Sequence, residues 1–141
     1  MEPVLSNLQS LQKRKSIEVH YNPLGGWLYV NWLGYQDENT VKEGGELILK
    51  AVQEKSCAKI LNDNREVKGT WTKAAAWTEE VFFPRLIQSG VKKFAWIQSP
   101  DVFSKHSIAQ ASKNQPLNSP IDLKIFDRFE LAVAWLEGDG Q

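Results

Sequence analysis

The chain has 141 residues, of which 42% are hydrophobic and 24% charged, a one-domain length and an ordinary globular usage that exclude a disordered or fibrous chain. Lysine plus arginine and aspartate plus glutamate number 17 each, so no net field holds a polyanion and nucleic acid is excluded as the default partner. Six tryptophans are the departure from average composition, large amphipathic rings that must each be buried or used.

In chain order, Leu5, Leu8 and Leu11 recur every third residue. This spacing predicts a short helix over a sheet edge, within an N-terminal extension of residues 1–15. Residues 16–22 alternate Ile17, Val19 and Tyr21 with Glu18 and His20, the period of a half-buried strand. Pro23-Leu24-Gly25-Gly26 and then Trp27-Leu28-Tyr29-Val30-Asn31-Trp32 complete a hairpin. Large groups on both sides of this second strand place it inside the sheet.

Thr40 and Glu43 have capping-box spacing and predict a helix to Lys55, with Val41, Gly44, Gly45, Ile48, Ala51 and Val52 on its buried face. Each glycine costs about 1 kcal/mol against alanine, which points to close helix-to-sheet contact there. A short apolar strand follows from Cys57, ending at the polar triplet Asn62-Asp63-Asn64. Thr70-Trp71-Thr72 opens a second helix with Ala74, Trp77, Val81 and Leu86 on one face, and Pro84 predicts a kink or break near Phe83. Residues 92–98 read as a strand, Ser99-Pro100-Asp101 starts a helix to Ser112, and residues 114–120 are a loop. A last strand over 121–126 precedes a short helix capped by Asp127, with Phe129, Ala132, Val133 and Leu136 as its stripe and Gly138 past its end.

The order β-β-α-β-α-β-α-β-α predicts a single α/β domain over residues 16–138. Its sheet is mixed, mostly parallel and five-stranded, with an antiparallel N-terminal hairpin strand. Cys57 is the only cysteine, so one chain forms no internal disulfide. The basic cluster Lys13-Arg14-Lys15 follows the leucines and no apolar signal-peptide core exists. The longest apolar run, 131–136, is far short of the roughly 20 residues that span a bilayer. A cytoplasmic chain without an integral membrane segment is the expectation.

Ligands of parallel sheets gather at the carboxyl ends of the strands. Here those ends are Leu33-Gly34-Tyr35, Asn62-Asp63-Asn64-Arg65, Gln98-Ser99-Pro100-Asp101 and Asp127. Asp63 at a strand end can act as a base or hold a cation, but such a residue more often accepts hydrogen bonds from the loop after it. His20 and His106 have no second histidine or cysteine at ligand spacing, so no metal site is expected. Ser104, Ser107 and Ser112 lie near His106, yet no nucleophile-elbow motif accompanies them. No glycine pattern for nucleotides occurs, so no cofactor is expected. Trp71 and Trp77 flank the start of the second helix, where one can face the core and the other the mouth of a crevice.

The segments Lys59-Ile60-Leu61-Asn62-Asp63-Asn64-Arg65, Gly69-Thr70-Trp71-Thr72 with Trp77, Gly90-Val91-Lys92-Lys93-Phe94-Ala95-Trp96, and the ending from Phe126-Asp127 to Ala134-Trp135-Leu136 resemble the bacterial SpoIIAA-like proteins of the STAS superfamily, chiefly its single-domain members. The likeness spans about residues 16–137. It implies a mixed sheet with βα units winding one way, and roles in partner binding and signalling or in holding a lipid-like ligand, with no shared reaction. In the anti-sigma antagonists an Asp-Ser-x-Gly serine or threonine is phosphorylated at the corresponding helix start. Here that stretch is Gly69-Thr70-Trp71-Thr72-Lys73, the Asp-Ser pair is absent, and Thr70 or Thr72 stands in by position.

The expected function is therefore a non-enzymatic STAS-like regulatory or protein-interaction module, with Asn62, Asp63, Asn64, Trp71, Trp77 and Ser99 as its ligand or partner surface. The alternative is a carrier or sensor of a small apolar ligand held between sheet and helices, as in the related CRAL-TRIO lipid-transfer folds. An enzyme using Asp63 is the third. Zero net charge and spare aromatic rings also predict ready homodimerisation.

Overall fold

The computed structural model describes residues 7–113 and 119–138. Strand β1 (Gln9–Lys13) pairs antiparallel with β2 (Ile17–Asn22), and β2 pairs antiparallel with β3 (Trp27–Tyr35). The β2–β3 pair is the predicted hairpin, its turn held by Asn22 Oδ1, which accepts from the amides of Leu24 and Gly25 at 3.0 and 3.1 Å. The sheet thus has six strands in the order β1-β2-β3-β4-β5-β6, not the predicted five.

The added strand is β1, in the stretch expected to be helical. Leu8 packs against one face of the sheet and Leu11 against the other. A spacing of three on a strand puts two side chains on opposite faces, so a strand covered on both sides reproduces the apparent helical repeat. Leu5 lies outside the described residues. A register shift between Ser10 and Gln12 bulges this edge strand, a device that discourages pairing with another chain.

After β3 come α1 (Glu38–Lys55), β4 (Lys59–Lys68), a 3-10 turn (Thr72–Ala74), α2 (Ala75–Trp77), a π-helical turn (Thr78–Phe82) and α3 (Phe83–Gln88). Then follow β5 (Lys93–Ile97), α4 (Val102–Ser112), β6 (Asp122–Phe126) and α5 (Phe129–Glu137). Of the predicted loop over 114–120, residues 114–118 lie outside the described residues. Strands β3 to β6 are parallel, and each is laid beside the last. When strands are always added at the same edge, a constant crossover hand puts every connecting helix on one face. Residues of α1, α2, α3 and α4 accordingly share one core with Val19, Val30, Ile60 and Phe94. The terminal α5 turns back over the other face, against Trp27, Tyr29, Leu61, Ala95 and Ile97.

Two caps differ from expectation by a few residues. The box at α1 forms one turn early: Asp37 Oδ1 accepts from the Thr40 amide at 2.8 Å and Thr40 Oγ1 accepts from the Asp37 amide at 2.9 Å. Aspartate caps as well as threonine does, and this one sits where the chain leaves β3. Asp127 does not cap α5; it accepts from Gln98 Nε2 at 2.8 Å, and the helix starts after Arg128.

The paired glycines of α1 make room for indoles. A Cβ on Gly44 would overlap the Trp32 ring and come within 2.9 Å of Ile17 Cδ1, and one on Gly45 would sit 2.6 Å from the Trp77 ring. Trp32 is buried and its Nε1 donates to Asn62 Oδ1 at 2.9 Å, so that ring has nowhere to move. Gly44→Ala should therefore lower stability by about 1–3 kcal/mol through overpacking, although helix propensity alone favours alanine by about 1 kcal/mol. Urea unfolding checks the sign, and a stabilised variant would refute the close packing.

Candidate functional site

The triplet Asn62-Asp63-Asn64 lies in the middle of β4, not in a loop beyond it. The strand runs on to Lys68, and all three residues are buried. The run looks like a strand end because apolar residues stop at Leu61, but Trp32 and Tyr29 of β3 bond Asn62 and Asp63, and Asn64 is bonded by Asn62. Alternation along the strand sends Asn62 and Asn64 to the helix-covered face and Asp63 to the other.

On the α5 side, Asp63 is fully engaged. Its Oδ2 accepts from Tyr29 OH at 2.7 Å and from Arg65 Nη2 at 2.8 Å, while Oδ1 accepts from the Arg65 amide and Nε at 3.0 Å each. The Arg65 guanidinium lies over the Phe129 ring, 4.8 Å from its centroid. Burial first, and then the Asp63 carboxylate beside it, push the Tyr29 phenol well above its usual range. An aspartate with both oxygens occupied in this way holds the sheet together and is not free to act as a base.

On the other face, Asn62 accepts from Trp32 Nε1, and its Nδ2 donates to Asn64 Oδ1 at 3.3 Å. Beside them opens an apolar cleft lined by Trp32, Gln36, Val41, Gly45, Asn62, Asn64, Val67, Trp71, Trp77, Thr78, Phe82, Phe83, Phe94 and Trp96. It holds about 420 Å³ of free space out to its mouth, of which about 30 Å³ admits the centre of a water molecule. Half of its lining residues are aromatic. Trp71 stacks on Trp96 at 6.0 Å, and Trp77 stacks on Phe82 at 5.7 Å with planes 19° apart. No charged side chain lines it.

Of the residues proposed from sequence as one surface, Asn62, Asn64, Trp71 and Trp77 line this cleft, and Asp63 and Ser99 do not. Trp71 is buried and Trp77 half-buried, the division expected for this pair. Ser99 is a buried clasp: its Oγ donates to the Val67 carbonyl at 2.8 Å and accepts from the Asp101 amide at 2.9 Å. Asp101 in turn accepts from the Gly69 amide at 2.7 Å and caps α4 through the Phe103 amide at 2.9 Å. These backbone donors hold its carboxyl below the usual carboxylate range.

Thr70 is exposed, and its Oγ1 lies 3.1 Å from Ser107 Oγ, 3.3 Å from Thr72 Oγ1 and 3.4 Å from the Thr72 amide. Ser107 is buried, and its Oγ accepts from the Trp71 amide at 2.8 Å. Burial pushes the Cys57 thiol up to about 11, away from nucleophilic use. Among the described residues, no cluster of three or more histidine, cysteine, aspartate or glutamate side chains is placed to hold a metal ion. No helix there is long and apolar enough to cross a membrane.

Sequence reasoning missed Trp32, Gln36, Phe82, Phe83, Phe94 and Trp96 as cleft walls. The doubled glycine 44–45 was the available signal, since two adjacent gaps in a helix face imply two large neighbours. The chain matches no protein-family model and no curated protein.

The Tyr29–Asp63 bond gives a pH-dependent expectation. Tyr29→Phe removes a hydrogen bond to a charged acceptor and should cost about 1.5–3 kcal/mol near neutral pH. The unfolded phenol ionises near pH 10 while the folded one stays protonated, so the folded state binds more protons and loses stability as pH rises. Phenylalanine lacks this term. The stability gap between the two proteins should therefore shrink above about pH 10, read by urea unfolding at neutral and alkaline pH. A gap that stays constant or widens would refute the assignment.

Proposed function

We propose that this chain is a non-enzymatic STAS-like module that holds a small apolar ligand in the aromatic cleft, as a carrier or sensor. The observation that carries the reading is the slot itself: an opening between sheet and helices, walled by aromatic rings, with a half-buried tryptophan at its mouth. A groove of this character excludes water and offers stacking surfaces. The helix turn beside it has π-helical spacing, a feature found often at working sites. βα units wound onto one face of the sheet support the STAS-like part of the reading.

A second reading, a protein-contact module, is favoured by the exposed apolar residues Val102 and Phe103 at the start of α4 and Tyr35 at the end of β3. These residues lie near one end of the sheet, since Gly69 both bonds Asp101 and approaches Tyr35. A phosphoryl group on Thr70 would regulate either activity by displacing its contact with Ser107, which holds the Trp71 amide.

The two readings separate in one titration. Naphthalene added to the protein should change tryptophan emission saturably. Trp77→Ala should weaken that binding about three- to ten-fold, the loss of one stacking wall worth roughly 0.5–1.5 kcal/mol. The unfolding midpoint of the variant confirms an intact fold. An unchanged emission spectrum would overturn the carrier reading and leave the contact module.

A further inference from the structure

The two edges of the sheet are unlike. Strand β1 is bulged between Ser10 and Gln12, whereas β6 keeps an unbroken register with β5, from Lys93 opposite Asp122 to Ile97 opposite Phe126. Among the described residues no strand lies beyond β6. Parallel strands are ordinarily covered on both faces, and β5 follows that rule with four of its five residues buried. In β6 no residue is buried, and Ile125 is 38% exposed. The buried residues of α5 pack against β3, β4 and β5, and Leu131 on that helix is 50% exposed. A regular, uncovered edge of this kind is a template for another strand.

The backbone shows which residues of β6 face outward. The Asp122 amide donates to the Lys92 carbonyl at 2.8 Å, and the Phe126 carbonyl accepts from the Gln98 amide at 2.9 Å. Along a strand the direction of these groups alternates from residue to residue, so Leu123 and Ile125 turn their N–H and C=O groups away from β5. Side chains alternate between faces in the same period. Asp122 and Lys124 are exposed on the side of Phe126, whose ring meets Trp135 of α5, and Lys124 Nζ lies 5.6 Å from the Phe126 ring centroid. Leu123 packs against the opposite core.

These alternations decide which strand fits. A second copy placed antiparallel across a two-fold axis must set outward residues against outward residues, so the axis passes through a residue of β6. An axis at Asp122 or at Lys124 opposes two like charges directly, which is unfavourable. An axis at Ile125 sets Lys124 against Phe126 and leaves Asp122 beyond the end of the other strand. An axis at Leu123 lets the two leucines exchange both backbone bonds and places Asp122 of each copy opposite Lys124 of the other. That pairing falls at the non-hydrogen-bonded position, where facing side chains are closest. A lysine on an edge ordinarily keeps other strands away, but here an aspartate answers it across the axis.

We propose, independently of what the cleft holds, that the chain self-associates through β6, two copies joining edge to edge about an axis at Leu123 to make one continuous sheet. The charges select the register and the backbone bonds hold it.

Sedimentation velocity of the intact chain, from micromolar to millimolar concentration, should show a reversible monomer–dimer equilibrium. Asp122→Lys sets lysine against lysine at both ends of the pair, and Lys124→Asp sets aspartate against aspartate. Each variant alone should self-associate about ten-fold more weakly or worse. Mixed in equal amounts the two become complementary at both positions, and their dimer should return to within about three-fold of the original affinity. Ile125→Pro, which removes an outward amide that an edge strand can spare, should weaken the dimer as well, with urea unfolding confirming that each variant folds. A chain that stays monomeric throughout would overturn the proposal. A dimer unmoved by all three substitutions would overturn its placement on β6. Charge variants that weaken singly but do not complement each other would overturn the Leu123 register.

Discussion

Three consecutive buried polar side chains in a central strand, Asn62, Asp63 and Asn64, set the constraint on which the rest of this structure depends. A buried polar group left unpaired costs about 1–3 kcal/mol, against a total stability of roughly 5–15 kcal/mol for a typical domain. The strand meets this demand by sorting. Asn62 takes Trp32 Nε1 on one face, and Asp63 takes Tyr29 OH on the other. Both partners come from β3, so the pairing of Val30 with Asn62 and Asn31 with Asp63 cannot slip by one residue without reversing every side chain. A bulge follows at once: from Asn31 to Leu33 β3 advances two residues while β4 advances three, from Asp63 to Glu66. The extra residue restores Val67 to the helix-covered core. Without it, Val67 would have followed Asp63 to the opposite side.

The same strand therefore has two unlike faces. Under α5, the Asp63 carboxylate, the Tyr29 phenol and the Arg65 guanidinium bond one another. Over the helices, Trp32 is fixed by Asn62 and fills the space opened by Gly44, and Trp71, Trp96 and Gln36 line the cleft with it. The ring pairs and the clasp of Ser99 and Asp101 leave the walls few ways to collapse into the gap.

Much of the fold was legible because local signals agreed with tertiary demands. The hairpin at Asn22, the buried face of α1, the start of α4 at Asp101 and the stripe of α5 each follow from turn, cap or period rules that the packing did not override. The failures share one cause, which is that a partner distant in sequence changes what a residue means. Asn62-Asp63-Asn64 looks like a strand end unless Tyr29 and Trp32 are known to wait for it. Leu8 and Leu11 look helical unless the sheet has two covered faces. The cleft was half legible, through Trp71, Trp77 and the paired glycines. Its floor was not, since Phe94 and Trp96 are indistinguishable in sequence from ordinary core aromatics.

Pro84 shows how a local break becomes a site. Proline has no amide hydrogen, and its ring presses on the carbonyl four residues back, so a helix entering it must loosen. Here the loosening is taken up as the π turn Thr78–Phe82, in which the Phe83 amide reaches back to the Thr78 carbonyl, before α3 resumes in α geometry. Widening the turn brings Phe82, five residues on, into stack with Trp77. The mouth of the cleft is this pair, set over the gap that Gly45 leaves in α1. An unkinked helix would have carried Phe82 around its axis and away from the indole. The residue that reads in sequence as a breaker is therefore what aligns the outer wall of the slot, and the glycine opposite is what lets that wall approach.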